Sequence, residues 1–146
     1  MKQITIILLI IILCLHMVAC NNHGRTNNAE IDPGRSVKFS EEEINSAIDA
    51  VLAKFVDFPG CDLIRLWYDE ERSDKFIELD LSTSGGNTIK SSGAEPENII
   101  IMFSDFKTSK SSASDGFNPD SNYTDWNWIL IRDSKTGKWK VADWGY

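Results

Sequence analysis

Histidine is nearly missing from this chain: two occur in 146 residues, His16 and His23, both ahead of any apolar periodicity. A Ser-His-Asp or Cys-His hydrolase therefore has no base in the body of the chain, and a zinc site has no imidazole there. Cysteine is as scarce, with Cys14, Cys20 and Cys61 the only three. Only Cys61 lies in the body, which excludes a disulfide within it. With no adjacent His or Lys to lower its pKa, and Leu63 two residues on, Cys61 reads as a small buried hydrophobe. Basic charge is short too: 15 Lys and Arg stand against 22 Asp and Glu, a net charge of -7. Counterion release from a phosphate backbone needs a basic surface, so nucleic acid is excluded as a partner. Glycine-rich phosphate loops of either common spacing and internal repeats are absent as well.

The one long apolar run is at the start. Met1 to Cys20, MKQITIILLIIILCLHMVAC, opens on one Lys, is apolar from Ile4 to Leu15, and closes on Ala19 before Cys20. A membrane-spanning helix needs about 18 to 20 apolar residues, and His16 interrupts this run early. The layout resembles a bacterial lipoprotein signal peptide. That resemblance implies cleavage before Cys20, a diacylglycerol on its sulfur, and a mature chain anchored on the outer face of the cytoplasmic membrane. Residues 20–36, rich in Asn, Gly and charge, lack the apolar content to offset ordering entropy and read as a flexible tether reaching on the order of 20 Å. Residues 37–146 are then a single domain.

Within that domain, order is expected from Phe39. Ser40 and Glu43 form a capping-box pattern, and Phe39 with Ile44 a hydrophobic staple. Ile44, Ala47, Ile48, Val51, Leu52 and Phe55 recur at three and four residues, the stripe of an amphipathic helix. Asp57-Phe58-Pro59-Gly60 ends it. Cys61–Tyr68 alternates as a strand. Ser73–Leu81 suits a short helix, Ser82–Gly93 a loop, and Ile99–Phe103 a strand buried on both faces. Trp126–Ile131 and Lys138–Val141 flank turn chemistry at Asp133–Gly137 and read as a hairpin. The expected architecture is α+β: one long N-terminal helix packed on a curved antiparallel sheet of about four strands, with a short second helix.

Three groups of residues suggest sites. The polar run Ser104–Asp125 is long for a connection, and such loops are usually functional or mobile. Asp115, Asn118, Asp120, Asn122 and Tyr123 are its candidate binding residues. The same stretch is rich in the hard oxygens calcium prefers, but Phe117 and Pro119 occupy ligand positions of the helix-loop-helix spacing, so plain turn chemistry accounts for it and no metal is assigned. Glu70 and Glu71, with Asp80 or Asp105, are candidate acid and base groups. Trp126, Trp128, Trp139, Trp144 and Tyr146 would form a sugar-stacking platform if exposed and a core if buried.

The segments FSEEEINSAIDAV, CDLIRLWYDEE, ENIIIMFSDF and NWILIRDSKTGKWKVADWGY together resemble a group of small lipoproteins of anaerobic Gram-positive bacteria. That group is similar to the cystatin-like and nuclear transport factor two-like α+β folds. The resemblance implies a helix and sheet that enclose a pocket or a packed core, and it brings no activity, cofactor or catalytic residue. The leading expectation is a lipid-anchored, non-catalytic module that binds a protein or cell-envelope ligand. The alternatives are a small pocket-bearing enzyme or ligand carrier using carboxylates, and a cell-envelope glycan binder.

Overall fold

The computed structural model describes residues 23–83 and 88–146. It is α+β, built on a five-stranded sheet: β1 (Glu30–Asp32), β2 (Cys61–Tyr68), β3 (Ile99–Thr108), β4 (Asn122–Ile131) and β5 (Lys140–Gly145), in that spatial order. Helix α1 (Glu41–Phe55) covers one face; α2 (Glu70–Ser82) and the short α3 (Thr88–Ser92) cover the other.

The local signals at α1 act as expected. The Ser40 hydroxyl accepts from the Glu43 N–H at 3.2 Å, and the Glu43 carboxylate accepts from the Ser40 N–H at 2.8 Å. Ile44, Ala47, Ile48, Val51 and Phe55 are buried, against Leu66, Tyr68, Met102, Phe106, Trp128 and Leu130 of the sheet. Burying each large side chain of this set removes enough apolar surface to contribute about 1.5–3 kcal/mol.

The architecture corrects the expected one. The sheet is mixed and five-stranded, because β1 runs parallel to β2 with Glu30 opposite Arg65 and Asp32 opposite Trp67. No long helix opens the domain: the 15-residue α1 follows β1. Of residues 20–36, expected as a tether, the described ones are held on the body at Gly24, Arg25 and β1. The Arg25 N–H donates to Cys61 O and its carbonyl accepts from the Leu63 N–H, both at 2.8 Å. The sheet is covered on both faces, as the unbroken apolar run Ile99–Phe103 predicts. Asp69, not Ser73, caps α2 by accepting from the Arg72 N–H at 3.0 Å. Ser73 lies buried inside that helix, where its Oγ accepts from the Ile101 N–H at 3.0 Å and ties α2 to β3. The stretch Ser82–Gly93, expected as loop, contains α3, whose Ile89 is fully buried.

Three bulges set which side chains reach which face. β2 shifts register between Leu63 and Arg65, β4 shifts opposite Ser104 and Phe106, and β5 shifts opposite Ile129 and Leu130. A bulge adds one residue to one strand and inverts the alternation beyond it. Hence Cys61, Leu63, Leu66 and Tyr68 all join the α1 side, while Trp67 joins Ile99, Ile101, Phe103 and Ile129 under α2. Simple alternation had put Cys61, Leu63, Arg65 and Trp67 together. Ile64, at the bulge, is left 45% exposed.

Candidate functional site

The polar run Ser104–Asp125 is strand at both of its ends. β3 continues to Thr108 and β4 begins at Asn122, leaving a connection of a 3-10 helix (Lys110–Asp115) and two turns. Gly116 closes that helix at φ 85°, and Asp120 takes a positive φ of 50°. The Thr108 hydroxyl is the hub: it donates to Asn118 O at 2.7 Å and accepts from the Ser121 N–H at 2.9 Å. The Tyr123 hydroxyl accepts from the Asn118 N–H at 2.9 Å. Asn118, Asp120 and Asn122 are exposed and Tyr123 half-buried; the Asp115 side chain lies outside the described residues, as does Cys20. Among the described residues no three His, Cys, Asp or Glu side chains converge on a metal position, and no helix is long and apolar enough to cross a membrane.

The tryptophans divide. Trp128 is fully buried, its Nε1–H donating to Ser104 Oγ at 2.8 Å, and Trp139 is buried with its Nε1–H on Glu43 O at 3.0 Å. Neither can stack on a ligand. Trp126 is half-buried, while Trp144 is 39% and Tyr146 76% exposed. Trp126 and Tyr146, with Tyr123 and Phe117, form one ring cluster, while Trp144 packs on Phe58 and Trp128.

Of the candidate acid and base groups, Glu70, Asp80 and Asp105 are engaged in holding the fold. The Glu70 carboxylate accepts from the Ser36 hydroxyl and from the Val37 N–H at 3.1 Å and Lys38 N–H at 3.3 Å. Burial opposes its ionisation, but these donors outweigh burial and hold its pKa below the usual carboxylate value. That direction is wrong for a general acid. Asp80 accepts from the Lys90 N–H, Asp105 accepts from the Asp125 N–H at 2.9 Å, and Glu71 is exposed. The Cys61 thiol is buried, with Sγ 3.8 Å from Pro59 O.

A different set of residues lines an open, shallow hollow. Between α2 and the β3–β4 pair lies an open groove of about 320 Å³ lined by Arg72, Lys75, Phe76, Leu79, Phe103, Asp125 and Asn127. The Arg72 guanidinium lies 4.1 Å from the Phe103 ring centroid, and Phe103 stacks on Trp67 at 6.0 Å. Arg72 Nη1 pairs with Asp125 Oδ1 at 2.9 Å. Asp125 is the extra residue region of the β4 bulge and has φ 56°, a left-handed conformation that costs a non-glycine residue energy and recurs where a side chain is being re-aimed. Leu79 is 67% exposed and Lys75 is exposed. Of these residues, the sequence places Lys75, Phe76 and Leu79 in the short helix, Phe103 and Asn127 in strands and Asp125 in the polar run, but it does not bring them together, and Arg72 lies before the expected helix start. The missed member is Arg72: it joins Lys75, Phe76 and Leu79 at three- and four-residue spacing once the helix starts at Glu70, behind its Asp69 cap, rather than at Ser73.

No protein-family model, curated protein or solved structure matches this chain.

Proposed function

We propose that the chain is a lipid-anchored, extracytoplasmic, non-catalytic binding module, and that its ligand site is the α2–β3–β4 groove. The ligand is a protein segment or envelope component that presents an apolar group beside a carboxylate. One observation carries this reading: two cations, Arg72 and Lys75, border an apolar floor of Phe76, Leu79 and Phe103 in a single concavity. Few convergent polar groups over an apolar surface of this size are what a small-ligand site needs. Lys75 makes no ion pair among the described residues, so it meets an incoming carboxylate without first losing a partner. A binding role is favoured over an acid-base enzyme because Glu70 and Asp105 are spent on backbone N–H groups.

Isothermal titration with a graded series of apolar carboxylates, from 4-phenylbutyrate to dodecanoate, tests the site. Saturable one-to-one binding is expected, weakened at least tenfold in Lys75→Ala combined with Arg72→Ala, about 1.4 kcal/mol or more, and unchanged in Lys90→Ala. Binding that ignores the double substitution moves the site elsewhere.

A further inference from the structure

If Cys20 carries the lipid, its distance from the folded body is fixed by covalent geometry. Gly24 is already part of that body: its N–H donates to Val56 O at 3.1 Å, and a Cβ there would sit 2.0 Å from Phe55 O. Four Cα–Cα steps separate Cys20 from Gly24, at most about 14 Å however residues 21–23 are arranged. Helix α1 alone, at 1.5 Å per residue, is about 22 Å long. The body is therefore shackled rather than tethered, and by one end.

That end has a definite composition. It holds the C-terminus of α1, the start of β2, the end of β3 and the start of β4, since Cys61 faces Thr108 and Lys107 faces Asn122. From the Gly24 attachment a continuous run of rings leads outward. Phe55 stacks on Phe58 at 5.4 Å; Phe58 meets Phe117 at 5.4 Å and Trp144 at 5.9 Å; Trp126 meets Tyr146 at 5.2 Å. The outermost members, Trp144 and Tyr146, are exposed, and so is Val56 at 38%. The Lys54 ammonium lies 4.7 Å from the Trp144 ring centroid. Trp and Tyr, apolar rings with a polar tip, are the side chains that settle at a bilayer's headgroup level, and lysine stems extend along apolar surface to keep their charge in water.

We infer that this end, with Trp144 backed by Phe58 and Tyr146 backed by Trp126 and Tyr123 at its rim, rests on the membrane interface and fixes the orientation of the domain. The inference builds on the lipid-anchor reading of Cys20 and goes beyond it: the lipid sets the distance and the aromatic rim sets the face. The contact is apolar rather than electrostatic, because Arg25 is paired with Asp62 and Lys54 with Asp57, and the chain's net charge is -7. Neutral phosphatidylcholine is sufficient. The loop residues Asn118, Asp120 and Asn122 then lie at headgroup level, and the Arg72 groove opens to the side.

The test uses the full lipidated chain in phosphatidylcholine vesicles containing lipids brominated high in the acyl chain, which quench only tryptophans at the interface. Wild-type emission is expected to be quenched, and Trp144→Phe with Trp126→Phe to abolish at least half of that quenching. A 20-residue Gly-Ser insertion after Asn22 is expected to reduce it several-fold, with far-UV circular dichroism and the melting temperature unchanged. Mass spectrometry of the N-terminal peptide separates the two ideas. No diacylglycerol on Cys20 removes the anchor. A lipidated Cys20 with unquenched tryptophans, open to aqueous iodide, overturns the docking inference alone. An unquenched rim whose emission shifts with soluble chitohexaose overturns it in favour of glycan recognition.

Discussion

Arg132 is 3% exposed, and each of its three guanidinium nitrogens donates a hydrogen bond. Its Nη1 donates to Glu43 Oε1 at 2.6 Å, Nη2 to Glu97 O at 3.0 Å and Nε to Asn98 Oδ1 at 3.2 Å. Its plane lies 4.4 Å from the Trp139 ring centroid. A buried guanidinium needs this many acceptors because each unsatisfied N–H costs its full desolvation penalty. Arg132→Ala, which strands Glu43 without its cation, is expected to destabilise by about 3 kcal/mol. Arg132→Met combined with Glu43→Gln should recover more than half of that loss, because the pair is then removed as a unit. Urea denaturation measures both, and equal losses in the two variants would show that the packing of Arg132, not its charge network, matters. Little of this was readable from sequence. Ser40 and Glu43 announced a capping box because its partners are three residues apart, but the second role of Glu43 depends on a residue 89 positions away.

At the scale of elements, the legible parts are those whose cause is local. Helix α1 is placed by its cap and its stripe and the core of β4 by alternating Trp126, Trp128 and Leu130, whereas the return strand, expected over Lys138–Val141, runs from Lys140 to Gly145. What failed was non-local. β1 is three residues long and exists because Arg65, Leu66 and Trp67 lie beside it; nothing in EID distinguishes it from a linker. The apparent long loop failed for another reason: the bulge before Trp126 breaks alternation where β4 begins, so Tyr123 and Trp126 share a face at an odd spacing. The groove depended on that bulge and on the start of α2, and was invisible for both reasons. Asp125 gives the element its test. Asp125→Gly suits the left-handed φ and loses only an exposed ion pair worth about 0–1 kcal/mol, so the fold should change by less than about 1 kcal/mol. Asp125→Val, β-branched at the same φ, is expected to cost about 2 kcal/mol. Equal denaturation midpoints for the two would mean that the bulge does not hold Asp125 in this conformation.

For the whole molecule, three carboxylates tie segments far apart in sequence. Glu43 joins α1 to Arg132 after β4, Asp62 joins β2 to Arg25, and Glu70 joins α2 to residues 36–38. All three have lowered pKa values. For Glu43 the Ser40 N–H leads and Arg132 adds to it; for Asp62 the Arg25 hydrogen bond outweighs burial; for Glu70 the donors at 36–38 outweigh burial. The unfolded chain takes up protons on these groups at higher pH than the folded one. Their contribution is therefore fully present above the ordinary carboxylate range and is lost as pH falls through the lower folded values. The melting temperature is expected to be level from about pH 7 to about pH 5 and to drop steadily below about pH 4. Glu70→Gln keeps the shape of the clamp without its charge. It should melt a few degrees lower than wild type at pH 7, and the two curves should converge as pH approaches 3. Calorimetric scans at intervals of half a pH unit read this directly. Parallel curves would mean that the Glu70 charge contributes nothing to holding residues 36–38, and the acid sensitivity would then rest on Glu43 and Asp62, where the same substitution to the amide locates it.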